Sequence, residues 1–355
     1  MLRSSQAIAL AIPGFFALIG VEWVASRIRR RDIGRFNDGM TALGCGVAQQ
    51  TLQVFTTAIV AWLYVSLYEH FALTRLDPAR WTTWVIGIVG VDFFYYWWHR
   101  TSHRSNAFWA IHVVHHQSQE YNLAVALRQS MFSNFSGILF DLPLAIVGVP
   151  PQVFLISAAL NTLYQFWIHT RLLGRLGPIE WILNCPSHHR VHHAVNPKYI
   201  DKNYAGIFII WDRMFGTFID EQEEPQYGTV RAYGSWNPIW ANFEPWVHLW
   251  NEARAARTWG DALKIWFAPP EWRGTGLKPH HIPEPDPRAR KWDIPYPKTL
   301  NGYVAFQFAI VATLLTALLW DPEVVDTPLR AILCLCIGVS IVSWGGLFEG
   351  KTWAR

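Results

Sequence analysis

The chain holds 14 histidines, and most fall into short runs whose spacing suits a shared task. His99 and His103 are four residues apart in HRTSH. His112, His115 and His116 make HVVHH, and His189, His192 and His193 make HRVHH, with His188 just before them. On a helix, positions i and i+4 share a face and i+3 lies beside them. Each run therefore aims two or three rings in one general direction. His169, in QFWIHT, stands between the second and third runs. Neutral imidazole is the commonest transition-metal ligand, and nitrogen donors suit iron, copper, zinc or nickel. This many rings exceeds the four ligands of a closed structural zinc site. They are enough for two ions with open positions for water or dioxygen. A lone HxxxH pair carries little weight, because single buried histidines are usually satisfied core residues. Three runs, two with the same HxxHH spacing, carry much more.

The remaining histidines do not join the set. His70 falls in a loop on the far side of the expected topology, and His248, His280 and His281 lie in a peripheral segment. Polar residues beside the runs are candidates to support them. Asp92 is seven residues before His99, two turns back on the same face. An ionisable group within a span is costly and faces a partner; here that partner is either the second nitrogen of a ligand histidine or a helix-packing group. Asp212, in WDRMFGTF, serves the last run in the same way or pairs with Arg213. Asn122, Arg128 and Gln129, in YNLAVALRQS, suit contact with a substrate or headgroup, or else cap a surface helix.

These runs need elements to hold them. Half the residues are apolar, only 16% are charged, and there are 21 tryptophans, a usage that fits rings lining membrane interfaces. The net charge of +4, with no dominant basic block, argues against nucleic acid as a partner. Cys45, Cys185, Cys334 and Cys336 are scattered and form no disulfide framework. Apolar runs near the length that crosses about 30 Å of hydrocarbon lie at Ala7–Ser26, Thr51–Tyr68, Trp81–Trp98, Tyr303–Trp320 and Ala331–Phe348. Two shorter runs within 131–168 are broken by Pro150 and Pro151, which predicts a helical hairpin that enters and leaves on one side. The first run reads as an anchor rather than a cleaved signal, since its basic residues follow it. Arg27, Arg29, Arg30 and Arg31 put its end in the cytoplasm by the excess of basic residues in inner loops. Counting across, every histidine run then lands on the cytoplasmic face, and the acidic DPEVVD loop at 321–326 falls outside.

The expected fold is all-α: a polytopic membrane helical bundle with a histidine-rich di-metal site at its cytoplasmic face. Residues 1–80 form N-terminal spans, 81–230 the catalytic domain, 231–302 a cytoplasmic segment of interfacial helices, and 303–355 the C-terminal spans. The expected location is an integral, multi-pass protein of a bacterial inner membrane.

HRTSH, HVVHH and HRVHH resemble the three histidine boxes of the sterol desaturase and fatty acid hydroxylase superfamily, and His169 resembles its extra histidine between boxes two and three. EYNLAVALRQS, QFWIHT and NCPSHHRVHHAVNPKYIDKNYAGIFIIWDRMFGTF make the chain most similar to the alkylglycerol monooxygenase branch. The resemblance is strong over about 82–230 and weaker toward 275. It implies two non-haem iron ions on a four-helix membrane bundle, oxygen activation, and hydroxylation of a lipid C–H bond. It also implies His99, His103, His112, His115, His116, His169, His189, His192 and His193 as ligands, with His188 beside them. No dinucleotide, haem, flavin or iron–sulfur motif supplies the two electrons each turnover needs, so an external electron donor is expected. The chain departs from the branch at Arg104, where the pattern carries an acidic residue tied to pterin use. Tetrahydrobiopterin and ether-lipid cleavage are thereby placed in doubt.

Other activities remain open at this point. A desaturase, or a hydroxylase of an amino-lipid headgroup, would use the same ligands. A bis-histidine haem carrier would instead place its histidines facing one another within the spans. A metal transporter would place them along the midplane, where only Glu22, Asp92 and Asp141 are expected.

Overall fold

In hydrocarbon a backbone must satisfy its own N–H and C=O groups, and the apolar runs of this chain accordingly become helices. The computed structural model describes residues 4–286, 288–321 and 325–354. In chain order the helices are α1 Ser4–Ile28, α2 Phe36–Phe71, α3 Trp81–Arg104, α4 Asn106–His116, α5 Leu123–Ala126, α6 Ser133–Val147, α7 Pro151–Trp167, α8 Pro186–His192, α9 Ile210–Met214, α10 Pro238–Ala255, α11 Trp259–Lys264, α12 Leu300–Trp320 and α13 Thr327–Phe348. Among the described residues the only extended pairings are two isolated bridges, Leu183 with Phe208 and Ala194 with Tyr227.

Among the described residues four helices are long and apolar enough to cross a membrane: α1, from Leu10, with α2, α12 and α13. The expected span at Trp81–Trp98 is not among them. It forms the first part of α3, but the second half of that helix, FFYYWWHRTSHR, is aromatic and polar, which lowers its hydropathy. The helix α2 is much longer than the expected Thr51–Tyr68. Its 36 residues reach about 54 Å at 1.5 Å each, well beyond a hydrocarbon core. The excess is its first half, where Asn37, Asp38, Thr41 and Gln49 are buried in the layer that carries the histidines. The proline hairpin is present. Gly148, at φ 100°, ends α6 in the left-handed conformation that glycine adopts without cost, and Pro151 opens α7.

The two largest apolar clusters among the described residues hold the bundle. One joins the first half of α2 to α12 and α13 through Val47, Leu315, Ile341 and Phe348. The other joins the second half of α2 to α3, α6 and α7 through Tyr64, Val91, Leu144 and Phe154. Tyr64 stacks on Phe154 with centroids 4.0 Å apart and donates to the carbonyl of Val149 at 3.0 Å. That contact marks one end of the molecule, where Leu73 and Leu76 also bond to the α6–α7 turn. At the other end Glu22 accepts from Thr170, Asp38 from Ser118, and Glu349 from Ser235. The end of α1, the start of α2, the ends of α3 and α7, and the end of α13 thus gather on one face, with every histidine run. The DPEVVD loop belongs to the opposite end by connectivity, but its residues 322–324 lie outside the described residues.

Candidate metal centre

The short helices are set by local chemistry. Asn122 caps α5 by accepting from the Ala124 N–H at 3.0 Å, and Pro186 opens α8. The nine histidines of the three boxes and His169 converge in two groups, in each of which one nitrogen per ring lies within 4.8 Å of the others. His99, His103, His112, His116 and His192 form the first; His115, His169, His189 and His193 form the second. Both HxxHH runs divide by the same rule. Along a helix, i+4 falls about 40° from i, and i+3 about 60° to the other side. His112 and His116 therefore face the first group while His115 faces the second. Box three does the reverse: His189 and His193 face the second group and His192 crosses to the first. Boxes two and three each feed both groups, while His99 and His103 of box one both face the first.

Backbone carbonyls fix the rings. Nδ1 of His99 meets the Tyr204 carbonyl at 2.7 Å, that of His115 the Arg128 carbonyl at 3.0 Å, that of His169 the Gln165 carbonyl at 2.8 Å, and that of His192 the Lys202 carbonyl at 3.0 Å. A carbonyl only accepts, so each Nδ1 carries the proton and each Nε2 presents a lone pair. His115 and His169 nonetheless bring their Nε2 atoms to 3.2 Å of one another. Neither has a proton to place between them. Two opposed lone pairs buried at that distance call for a shared cation. A metal ion held by both nitrogens would accept the two lone pairs. Nε2 of His99 and His112 lie 2.9 Å apart, those of His169 and His189 3.0 Å, and Nε2 of His103 and His192 are buried with no hydrogen-bond partner. The donor set fits two metal ions.

Burial and mutual repulsion keep the rings neutral. Burial lowers His115 to about 4 and His192 to about 3, and takes His112, His116, His189 and His193 well below the usual imidazole range.

The loop after box three acts as a template for the first group. Asp201 and Asn203 take positive φ, 60° and 55°, which turns the Lys202 and Tyr204 carbonyls toward the histidines. The Asn203 side chain holds this shape by donating to the carbonyls of His188 and Ile219 and accepting from the Ile219 N–H. Asp212 accepts from the N–H groups of Tyr204 and Ala205, both at 2.8 Å, and from Thr217. It supports His99 through that backbone rather than by touching a ring. It does not pair with Arg213, whose guanidinium lies over Phe218. Asp92 also misses the histidines. It accepts from Asn161, from the N–H groups of Ile207 and Phe208, and from Trp211, so it pins the following turn of the same segment to α3.

The other expected supporting residues are packed inside. Arg128 donates to the Val114 carbonyl and to Gln117, closing the end of α4, and Asn122 donates to the Ile33 carbonyl; both are buried. Gln129 donates to the Ala126 carbonyl. His188 lies in neither group: its Nδ1 accepts from the Cys185 N–H and its ring packs against Phe218. Arg104 pairs with Asp201 and, at 3.1 Å, with Glu271. Sequence reading missed Lys202, Asn203 and Tyr204. It also missed Tyr121, which stacks on His169 with centroids 5.6 Å apart; a tyrosine directly before Asn122 was the available signal.

The fatty acid hydroxylase family model matches residues 84–217, which contain both histidine groups. The alkylglycerol monooxygenase of Xenopus tropicalis is 38% identical over 343 residues, covering 95% of this chain and 76% of that protein. The human alkylglycerol monooxygenase is 38% identical over 306 residues, 85% and 68% of the two chains. The chain belongs to the fatty acid hydroxylase superfamily, in its alkylglycerol monooxygenase-like branch. A more distant relative, the ornithine lipid hydroxylase OlsE of Rhizobium tropici, is 29% identical over 200 residues, 54% of this chain and 59% of that one. No solved structure matches the chain significantly. As a member of this superfamily the protein is an oxidoreductase, a membrane-bound monooxygenase that hydroxylates a lipid.

Proposed function

We propose that the two histidine groups would hold two non-haem iron ions, which would supply the oxygen activation for hydroxylating a C–H bond of a membrane lipid. The observation that carries this reading is the facing pair of Nε2 lone pairs on His115 and His169, 3.2 Å apart, within one of two groups that boxes two and three both supply. When bound, the iron pair supplies oxygen activation; the protein mainly binds, orients and excludes water. His99, His103, His112, His116 and His192 are the ligands of one ion, and His115, His169, His189 and His193 those of the other. The carbonyls of Tyr204, Lys202, Arg128 and Gln165 hold the protons on Nδ1 and leave Nε2 free to ligate. Asp212 and Asp92 are positioning residues, acting through residues 204–208, and Arg128 and Asn122 fix the ends of α4 and α5. His188 steadies the start of α8. Tyr121 and Tyr204 are almost fully buried against the rings and keep water from that side.

The proposed substrate is a lipid whose chain stays in the hydrocarbon while its reacting carbon reaches the metal end. Alkylglycerol-type lipids are the first to test, given the names of the relatives; an amino-lipid headgroup is the second, given OlsE. The residue after box one is Arg104, held by Asp201 and Glu271, and tetrahydrobiopterin is not carried over to this chain. Electrons come from an external donor. The metal end faces the cytoplasm, a placement supported by Arg27, Arg29, Arg30 and Arg31 at the end of α1. The test is lipid mass spectrometry of cells with and without the protein, joined to metal analysis of the purified chain. A lipid heavier by one oxygen, with iron bound, is the expected result. A lipid lighter by two hydrogens would make the enzyme a desaturase, and no lipid change with no metal would overturn the reading.

A further inference from the structure

The helices α10 and α11 present an apolar stripe that none of the described residues covers. On α10, Trp240, Phe243, Val247 and Trp250 follow one another at three- and four-residue intervals and are all 41% exposed or more. Trp259 and Leu263 on α11, and Phe267 just after it, continue the stripe and are more exposed still, at 88%, 69% and 75%. Such a surface on a water-facing element would be an aggregation hazard. Here it is continuous with the lipid-facing side of the bundle, because Phe243 meets Phe132, at the cap of α6, with centroids 5.9 Å apart, and Phe135 and Leu139 of α6 are exposed beyond it.

A second feature lies beside the stripe. Arg254, Arg257, Arg273 and Lys278 are exposed and make no ion pair among the described residues. The nearby acids are engaged elsewhere: Glu252 with His248, Asp261 with Thr275, and Glu271 with Arg104. An apolar stripe bordered by unpaired cations matches a bilayer surface that carries negative charge. We infer that α10 and α11 form a docking face for anionic lipid headgroups, with the tryptophans in the acyl boundary and the four cations on the phosphates. The occupant is the membrane that holds the spans, not a second protein.

This face is tied to the metal end. The Asn106 N–H donates to the Ala268 carbonyl at 2.9 Å, the Ala107 N–H to the Trp266 carbonyl at 2.8 Å, and the Asn106 side chain to the Ile265 carbonyl at 2.9 Å. The segment after α11 therefore caps the start of α4, the helix of His112, His115 and His116. Seating the face on anionic lipid fixes that cap in place.

The test uses the full chain in nanodiscs. Cys336, the exposed cysteine, is replaced by serine, and a fluorophore is attached to Leu263→Cys. Discs of phosphatidylcholine alone are compared with discs containing an equal part of phosphatidylglycerol, with acrylamide as the aqueous quencher and doxyl-labelled lipid as the bilayer quencher. In the anionic discs acrylamide quenching should fall at least about fivefold relative to neutral discs, and doxyl quenching should rise, since each cation near the surface favours the docked state. The variant Arg254→Glu, Arg257→Glu, Arg273→Glu should lose that difference. Equal quenching in the two discs would overturn the inference, as would a charge-reversed chain that keeps the anionic preference. The readout needs neither metal nor turnover, so its failure leaves the oxygenase reading untouched.

Discussion

His112, His115 and His116 sit on little more than one helical turn, yet they serve two groups. The 100° between i+3 and i+4 is what lets one HxxHH run serve both groups, and the second run repeats the device in reverse. Replacing His192 by alanine should abolish hydroxylation and remove metal from the first group, and His115→Ala should do the same to the second; mass-spectrometric metal analysis of each purified variant checks this. His280→Ala, at an exposed site outside both groups, should leave turnover unchanged. Acid should act on the same rings. Their folded-state affinities for protons lie below that of a free imidazole, about 6.5. Above that pH both folded and unfolded chains are neutral there and the stability is fully present. Below it the unfolded chain takes up protons that the buried rings refuse, so stability is lost as pH falls toward the values near 4 for His115 and 3 for His192. The metal-free protein should therefore melt at steadily lower temperature below pH 6.5. A melting temperature flat from pH 7 to 5 would contradict the burial of neutral rings.

At the scale of elements, the site depends on a loop that aims two carbonyls. Asn203 tolerates its left-handed conformation better than most residues and secures it with three hydrogen bonds. Asn203→Val should cost about 1–2 kcal/mol in conformation alone, readable as a lower melting temperature. Asp212→Asn should weaken metal binding by roughly 10- to 100-fold, measured by competition with a chelator, because the Tyr204 carbonyl would lose its anchor. Much of the scaffold was legible beforehand. Pro150 and Pro151 marked the hairpin, and the apolar runs marked α1, α12 and α13. The histidines of the two groups were legible too, because imidazole spacing is written in residue types. Their partners were not, because a backbone carbonyl has no residue type. Asp92 and Asp212 drew notice as buried acids, but what they grip is main chain from distant turns, which spacing along one helix does not reveal. The first half of α2 was missed for a related reason: its buried asparagine, aspartate and glutamine look like a loop until the layer that buries them is known.

For the whole molecule, the decisive feature is that polar groups from most of the helices and several loops meet at one end. The expectation at this scale is a lipid product heavier by one oxygen in cells that express the chain, absent from cells expressing His192→Ala. The order of assembly follows from the same layout. His99 and His103 leave the ribosome early, but the carbonyls that orient His99 and His192 come from residues 202–204, and the acid that anchors them is Asp212. Until that segment is made, the early histidines lack their supports. The two histidine groups cannot be fully supported until the chain is past Thr217, so their completion is a late event of biogenesis.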